Sequence, residues 1–178
     1  MINEHFEQVM LHCGDSLIIP KESCVTVREG NTLLHALLLL SNAKHSEIPV
    51  LDDQQHIVGK INMPLIMKAI KTDTEYVWDR LGEITIAEAM DQELGKARLP
   101  LRLEDVLHGL VDNKFVALED ENQVFQGIVT RREILSRLNF IAHEMGHYYD
   151  IMPQLAALEK FHYPDGVEIK IDQDYRRS

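Results

Sequence analysis

The chain repeats itself: residues 47–62 align without a gap on residues 115–130. The offset is 68 residues, and the identities inside the aligned segment are Asp52 with Asp120, Gln55 with Gln123, and Gly59 with Gly127. Apolar positions coincide as well. A supersecondary unit that recurs at a fixed period buries its apolar face against its own copy. The repeat therefore restricts the fold to two similar units that share a core.

Each copy predicts a hairpin. The apolar runs at 48–51 and 115–118 are typical of buried strands. A polar cluster follows each run and predicts a tight turn, and a second apolar run completes the hairpin. Gly59 and Gly127 lie inside these second runs. A glycine within a strand indicates either a bulge or a place where other atoms approach the backbone closely.

Helical spacing of apolar residues surrounds each hairpin. We expect helices at 33–40 and 103–111 before the hairpins, and helices that begin near Leu65 and Ile134 after them. Short strands at 25–27 and 97–99 precede the first helix of each copy. The result is an α/β (α+β) fold of two β-α-β-β-α units. We expect an N-terminal helix in 1–14, the first unit in 15–70, a linker with a connecting helix in 71–95, the second unit in 96–142, and an extension with one more strand in 143–178.

Composition limits the classes of function. Lysine and arginine number 18 against 29 aspartate and glutamate residues, so the formal net charge is −11. This charge argues against nonspecific binding of nucleic acid or anionic lipid. The two cysteines, Cys13 and Cys24, cannot form a disulfide framework. The first residues do not resemble a secretion signal, and no apolar run has the ~20 residues of a membrane span. We therefore expect a cytoplasmic protein.

Four segments carry a resemblance to a known family: 47–52, 59–61, 86–90 and 126–135. Across roughly residues 5–140 the chain resembles a tandem pair of CBS domains, also called a Bateman module. Segments 35–40, 124–128 and 130–132 are similar to the stand-alone CbpB/DarB-type proteins of Gram-positive bacteria.

The resemblance implies a function as well as a fold. It implies a regulatory receptor that binds cyclic di-AMP, carries no catalytic residues and needs no cofactor. It also implies a disc-like homodimer that modulates a partner protein, with a stringent-response alarmone synthetase or pyruvate carboxylase as examples.

Residues 130–133 predict an anion site. They span the end of a strand and the start of a helix, where free backbone N–H groups favour phosphate. Arg131 and Arg132 add charge-assisted contacts at this point. The residues alone leave a second reading open, in which both arginines form surface ion pairs. The resemblance implies that Thr130 and Glu133 contact a ribose. The matching first-copy segment, 62–65, has no hydroxyl–acid pair and no cation, so we expect one working site per chain.

The resemblance also implies an adenine site, formed by Val25, Val27, His45, Ser46, Glu47 and Ile48. The sequence departs from the family pattern here, because His45, Ser46 and Glu47 stand where an aromatic residue, threonine and a small residue are usual. The two valines are equally compatible with ordinary sheet core.

Two other functions fit parts of the sequence. A CBS pair could instead sense energy state by binding AMP, ADP or ATP, with Arg131 and Arg132 on a linear phosphate chain. The segment 143–147 fits the H-E-x-x-H zinc signature, with His143 and His147 as ligands and Glu144 as base. The longer metzincin pattern fails, because Asp150 and Pro153 occupy its glycine and histidine positions. We therefore expect no metal, and a polar helix face at 143–147.

Overall fold

The computed structural model describes residues 2, 4–12, 16–43 and 45–148. The chain divides into two parts, Met1–Ala142 and His143–Ser178. The second is described only where the last helix ends. The α-helices are α1 (Glu4–His12), α2 (Leu33–Asn42), α3 (Met63–Ile70), α4 (Ile86–Ala89), α5 (Leu103–Asp112) and α6 (Arg131–Tyr148). The strands are β1 (Ile19–Pro20), β2 (Val27–Arg28), β3 (Glu47–Leu51), β4 (Ile57–Asn62), β5 (Gly95–Arg98), β6 (Phe115–Glu119) and β7 (Phe125–Thr130).

The strands form two sheets that reproduce the sequence repeat. The first sheet has the order β2-β3-β4 and the second has the order β1-β7-β6-β5. In each repeat a short strand runs parallel to the first hairpin strand, and the two hairpin strands are antiparallel. Both hairpins shift register at the matched position, after Val50 and after Leu118. The α/β fold with two tandem units is therefore confirmed.

The repeated aspartates organise the hairpin turns. Each carboxylate accepts two backbone N–H groups: Asp52 from Gln54 and His56, both at 2.8 Å, and Asp120 from Asn122 and Val124 at 2.9 and 3.0 Å. These bonds reinforce the backbone hydrogen bonds that close each turn, from the Asp52 N–H to the His56 carbonyl and from the Asp120 N–H to the Val124 carbonyl. The repeated glutamines, Gln55 and Gln123, take the left-handed conformation with φ of 68° and 64°. The turn geometry therefore accounts for two of the three repeated identities.

The boundaries differ from the sequence expectation in several places. The strand expected at 25–27 starts at Val27, and the connecting helix consists of a 3-10 turn, Trp78–Gly82, followed by the short α4. Thr85 and Glu88 form a capping box that starts α4. β1 was not expected at all, because two residues are too short to show a period. The strand expected within 143–178 lies outside the described residues.

Three apolar clusters stabilise the fold. One lies inside each repeat. A third cluster joins the two repeats through Leu51, Ile57, Phe115, Ala117, Phe125 and Ile128. Its members come from facing strands of both hairpins, so the hairpins bury their faces against each other as the repeat predicted.

Both repeated glycines mark a close approach of the chain to itself. At Gly127, where φ is +148°, a Cβ atom would lie 2.3 Å from the backbone oxygen of Ile19. At Gly59 a Cβ atom would lie 2.8 Å from the backbone oxygen of Asp91. Of the two explanations left open by the sequence, the structure contains both, because the register shift of each hairpin begins at the residue paired with the glycine and the chain approaches itself closely at the same place.

Replacing Gly127 with alanine should destabilise the fold severely. The methyl group would collide with the Ile19 carbonyl, and the backbone would be strained at this φ. We expect the free energy of unfolding to fall by more than about 2 kcal/mol, measured by urea denaturation. Gly30→Ala is the matched control, because nothing lies within 4 Å of the added Cβ atom, and its effect should stay within about 0.5 kcal/mol. Equal effects of the two substitutions would contradict this account.

The turn aspartates should make stability depend on acid pH. Burial tends to raise the pKa of Asp120, but the backbone N–H groups of Val124 and Asn122 and the Gln126 amide outweigh it, so the pKa is lowered below its ordinary value of 3.8. A carboxyl whose pKa is lowered on folding stabilises the fold above its unfolded pKa and loses this contribution as pH falls through the folded pKa.

Asp120→Asn should therefore be less stable than the wild type at pH 7, and the difference should shrink as the pH drops below about 4. Urea denaturation of both proteins at several pH values measures this difference. A difference that stays constant down to pH 3 would show that the charge of Asp120 is not involved.

Candidate functional site

A cavity of about 210 Å³ lies where the two repeats meet. Its walls come from the start of β3 and from the β6, β7 and α6 region of the second repeat. The lining residues are His45, Ser46, Glu47, Lys114, Phe115, Ile128, Thr130 and Arg132. Phe115 and Ile128 are buried and form an apolar floor, whereas the other side chains give the cavity a polar and charged rim. We call this space the inter-repeat cleft.

A larger cavity of about 510 Å³ adjoins the cleft. It lies between the segment that leads into the first repeat and one face of α6. The lining residues are Ser16, Leu17, Ile19, Ser23, His45, Arg132, Glu133, Ser136, Arg137 and Phe140. We call it the lead-in cavity. His45 and Arg132 line both spaces, so these two residues stand at their junction.

Arg132 is a cation at the start of a helix. α6 begins at Arg131, directly after β7, so the backbone N–H groups of its first turn lack helical partners. Within the part of the chain that the structure describes, the Arg132 guanidinium has no hydrogen bond or ion pair. An unpaired guanidinium at a helix N-terminus favours an anion. This is the position at which the sequence predicted a phosphate.

Arg131 has a different role in the structure. Its Nε donates to the Leu110 carbonyl at 2.7 Å, and its Nη2 donates to the Val111 carbonyl at 2.7 Å. These carbonyls belong to the last turn of α5, where a cation is favourable. Arg131 lines neither cavity. The structure thus separates the two arginines that the sequence analysis placed together.

Thr130 and Glu133 interact with each other. The Thr130 hydroxyl donates to the Glu133 carboxylate, and the Glu133 backbone N–H lies 3.4 Å from the same hydroxyl oxygen. Thr130 lines the inter-repeat cleft and Glu133 lines the lead-in cavity. A sugar hydroxyl that binds here can form hydrogen bonds with the Thr130 hydroxyl and the Glu133 carboxylate. To do so, the sugar has to compete with the hydrogen bond between these two residues.

Lys114 is a cleft cation that the sequence analysis missed. Its Nζ lies 3.2 Å from the Ser46 hydroxyl oxygen and 3.4 Å from Glu47 Oε1. Glu47 also accepts a hydrogen bond of 3.1 Å from the Asn62 amide. The buried Glu47 carboxylate is thus already compensated. A signal did exist, because Lys114 matches Ser46 at the 68-residue offset and therefore lies at the equivalent end of the second hairpin.

The apolar residues predicted for the adenine site are dispersed. Val25 is 39% exposed, whereas Val27 and Ile48 are buried in the core of the first repeat. None of the three lines either cavity. Of the six residues implied for this site, the structure brings His45, Ser46 and Glu47 to the cleft. The apolar surface there comes from Phe115 and Ile128 instead.

The structure describes only the first side chain of the zinc signature at 143–147. His143 is exposed on α6, while the side chains of Glu144 and His147 lie outside the described residues. Elsewhere in the described chain no group of three or more His, Cys, Asp or Glu side chains is placed to hold a metal ion.

Burial raises the pKa of the Cys24 thiol to about 11, so this thiol is protonated at neutral pH. None of the helices in the described residues is long and apolar enough to cross a bilayer.

The chain is similar to known proteins in both sequence and structure. Residues 14–72 match the CBS domain model. The chain is similar to the cyclic di-AMP receptor B of Bacillus subtilis (strain 168), with 31% identity over 139 residues, 78% of this chain and 95% of that protein. The crystal structure of Listeria monocytogenes CbpB in complex with c-di-AMP is 34% identical, with a TM-score of 0.65, and the match covers 71% of this chain and 94% of that one. CbpB from Streptococcus agalactiae is 27% identical, with a TM-score of 0.71 and coverage of 86% and 96%.

The two arginines should separate in a stability measurement. Arg131→Met removes two hydrogen bonds to the end of α5 and should lower the free energy of unfolding by about 1–2 kcal/mol. Arg132→Met removes no contact in the described structure and should change it by less than about 0.5 kcal/mol. Urea denaturation of both variants measures the difference. A loss of stability in Arg132→Met as large as in Arg131→Met would assign Arg132 a structural role.

Proposed function

The chain belongs to the family of tandem CBS-domain proteins, and we propose that it is a cytoplasmic regulatory receptor for cyclic di-AMP. The ligand occupies the inter-repeat cleft, with a phosphate on Arg132. The protein acts by binding and not by catalysis. Two relatives support this ligand: one is a cyclic di-AMP receptor, and the other was crystallised with c-di-AMP.

The observation that carries the proposal is the guanidinium of Arg132 at the junction of the two cavities, which has no hydrogen bond or ion pair among the described residues. A phosphodiester has the charge and the paired oxygens that a guanidinium fork recognises. The first backbone N–H groups of α6 add a favourable dipole at the same place. In a chain with a net charge of −11, such a local positive site is the place where an anionic ligand binds.

The remainder of the cleft suits a purine. Phe115 and Ile128 supply an apolar floor, and ligand sites are typically apolar with a few polar groups that fix orientation. His45 and Ser46 are two of the polar groups that line the cleft with this floor, and an imidazole can stack on a base. The Glu47 carboxylate would repel a phosphate if it were unpaired. Its contacts with Lys114 and Asn62 reduce this repulsion.

Regulation requires that ligand binding favour one state of the receptor over another. The partner proteins implied by the family resemblance, an alarmone synthetase or pyruvate carboxylase, remain proposals. The proposed homodimer is supported by exposed apolar side chains on three helices, because such side chains are typical of surfaces buried between copies. These side chains are Leu34, Leu38, Val111, Leu135 and Leu138.

A receptor for AMP, ADP or ATP is the second candidate. Thr130 and Glu133, which the resemblance associates with ribose binding, are adjacent to the cleft. Their hydrogen bond to each other counts more against a mononucleotide, whose ribose offers two free hydroxyls to this pair, than against cyclic di-AMP, whose riboses each keep one.

Isothermal titration calorimetry with cyclic di-AMP, AMP, ADP and ATP tests the proposal. We expect cyclic di-AMP to bind most tightly. Arg132→Met should weaken its binding about 10- to 100-fold, the equivalent of one or two charge-assisted hydrogen bonds. Arg131→Met is the matched control: it removes the same charge from the neighbouring residue and should leave the affinity nearly unchanged.

Two results would contradict the proposal. Tighter binding of a mononucleotide than of cyclic di-AMP would favour the energy-sensor function. Equal losses of affinity in Arg131→Met and Arg132→Met would show that general charge, and not the position of Arg132, determines binding.

A further inference from the structure

The only tryptophan of the chain is exposed to solvent beside an exposed tyrosine. Trp78 is 57% exposed and Tyr76 is 45% exposed. Their ring centroids lie 6.4 Å apart, with the ring planes tilted by 40°. Tryptophan is highly buried on average in folded proteins, and adjoining exposed apolar groups mark a surface that contacts another molecule. Neither ring lines the inter-repeat cleft or the lead-in cavity, so the function proposed above does not use them.

Backbone hydrogen bonds fix the position of both rings in the linker between α3 and α4. The Thr72 N–H donates to the Glu75 carbonyl at 2.8 Å, and the Glu75 N–H donates to Thr72 Oγ1 at 3.1 Å, which closes a turn. The Val77 N–H then donates to the Ile70 carbonyl at 2.9 Å. Val77 has extended backbone angles, so the side chains on either side of it leave the chain in the same direction. Because the backbone is ordered beforehand, a contact made by the rings costs little further ordering.

Three exposed acidic residues are interleaved with the rings along the chain. They are Asp73, Glu75 and Asp79. Within the part of the chain that the structure describes, their side chains form no hydrogen bond or ion pair. Residues 72–79 contain no lysine or arginine. Lys71 and Arg80 border this segment, and the positive charge of Arg80 interacts with Glu88 in the capping box of α4.

Aromatic faces combined with carboxylates favour a cationic side chain. A lysine or arginine is attracted to the negative face of a tryptophan or tyrosine ring. A guanidinium can also stack flat on the ring while its N–H groups donate to neighbouring carboxylates. An apolar partner, in contrast, would desolvate these carboxylates without compensation, and an acidic partner would be repelled by them. The chemistry of this surface therefore fits a basic polypeptide segment.

We infer that the surface formed by Tyr76, Trp78 and the three carboxylates binds a basic segment of a partner protein, with an arginine or lysine side chain on the Trp78 ring. We call this surface the linker patch. The inference goes beyond the proposed function and does not depend on the ligand of the cleft. Tryptophan and tyrosine are enriched among the residues that dominate the binding energy of interfaces. The net charge of −11 also steers a basic partner toward the protein.

The fluorescence of Trp78 reports directly on the linker patch, because the chain has no other tryptophan. The probe is a short peptide of alternating arginine and glycine residues. In the control peptide citrulline replaces each arginine, which keeps the shape and removes the charge. We expect the arginine peptide to change the Trp78 emission saturably and to protect the ring from acrylamide quenching, whereas the citrulline peptide does neither. Emission that the arginine peptide leaves unchanged would overturn the inference.

A matched pair of charge variants tests whether the position of the carboxylates matters. The patch variant carries Asp73→Asn, Glu75→Gln and Asp79→Asn. The control variant removes the same charge from exposed positions in the second repeat and carries Asp105→Asn, Asp112→Asn and Glu121→Gln. Measured by the anisotropy of the dye-labelled arginine peptide, the affinity should fall about tenfold in the patch variant and no more than about twofold in the control. Equal losses would assign binding to the net charge of the protein and overturn the inference.

Substitutions of Trp78 test the role of the ring. Trp78→Leu keeps an apolar side chain without an aromatic face and should weaken peptide binding about fivefold, whereas Trp78→Phe should recover part of the loss. Wild-type affinity in Trp78→Leu would contradict the inference. So would dissociation of a dimer by Trp78→Leu in analytical ultracentrifugation, because it would assign the ring to a contact between two copies of the chain. Thermal unfolding monitors the fold of each variant.

Cyclic di-AMP titrations separate this inference from the proposed function. Trp78 lines neither cavity, so Trp78→Leu should bind cyclic di-AMP as the wild type does. Failure of the wild type to bind cyclic di-AMP would overturn the proposed function and leave the linker patch standing. Loss of cyclic di-AMP binding in Trp78→Leu alone would show that the ring supports the nucleotide site, and would overturn the linker patch as a separate surface.

Discussion

The way the two repeats are joined depends on backbone hydrogen bonds, because the segment that precedes each repeat pairs with a strand of the other repeat. β1, which precedes the first repeat, pairs with β7 at the end of the second. In the opposite sense, Asp91, which precedes the second repeat, exchanges backbone hydrogen bonds of 2.8 and 2.9 Å with Lys60 in β4. Both pairings need a strand with no side chain at one position, and Gly127 and Gly59 supply it. The repeats are thereby linked across the apolar cluster between their hairpins, and the cleft forms at a fixed place.

The two repeats have similar backbones but different side chains at the junction between the second hairpin strand and the helix that follows it. In the second repeat, Thr130 and Arg132 lie at the junction of β7 and α6. The matching positions of the first repeat hold Asn62 and Pro64. Asn62 is occupied in the fold, since its side chain accepts from the Leu65 N–H at 3.0 Å and donates to Glu47. The repeat therefore builds the scaffold twice but places an arginine at only one of these two junctions, which supports the expectation of one working site per chain.

The sequence predicted the parts of the fold that have a period. The hairpins and the helices around them were predicted, and a bulge or a close approach was expected at both glycines. β1 escaped prediction because two residues show no period, although its backbone pairing determines how the repeats are joined. The site was harder to predict. Neighbouring side chains on a helix point about 100° apart, so Arg131 and Arg132 face different parts of the protein. The sequence does not show which of the two contacts α5. Phe115 and Lys114 were missed because one resembled core and the other a solvated charge.

The central claim is that one guanidinium at the junction of two cavities holds the phosphodiester of a cyclic dinucleotide. A crystal structure of the protein with cyclic di-AMP measures this directly. The account predicts a phosphate oxygen within about 3 Å of the Arg132 side chain, with adenine over Phe115 and Ile128 in the inter-repeat cleft. Density for the dinucleotide elsewhere on the protein, with Arg132 directed into solvent, would contradict it.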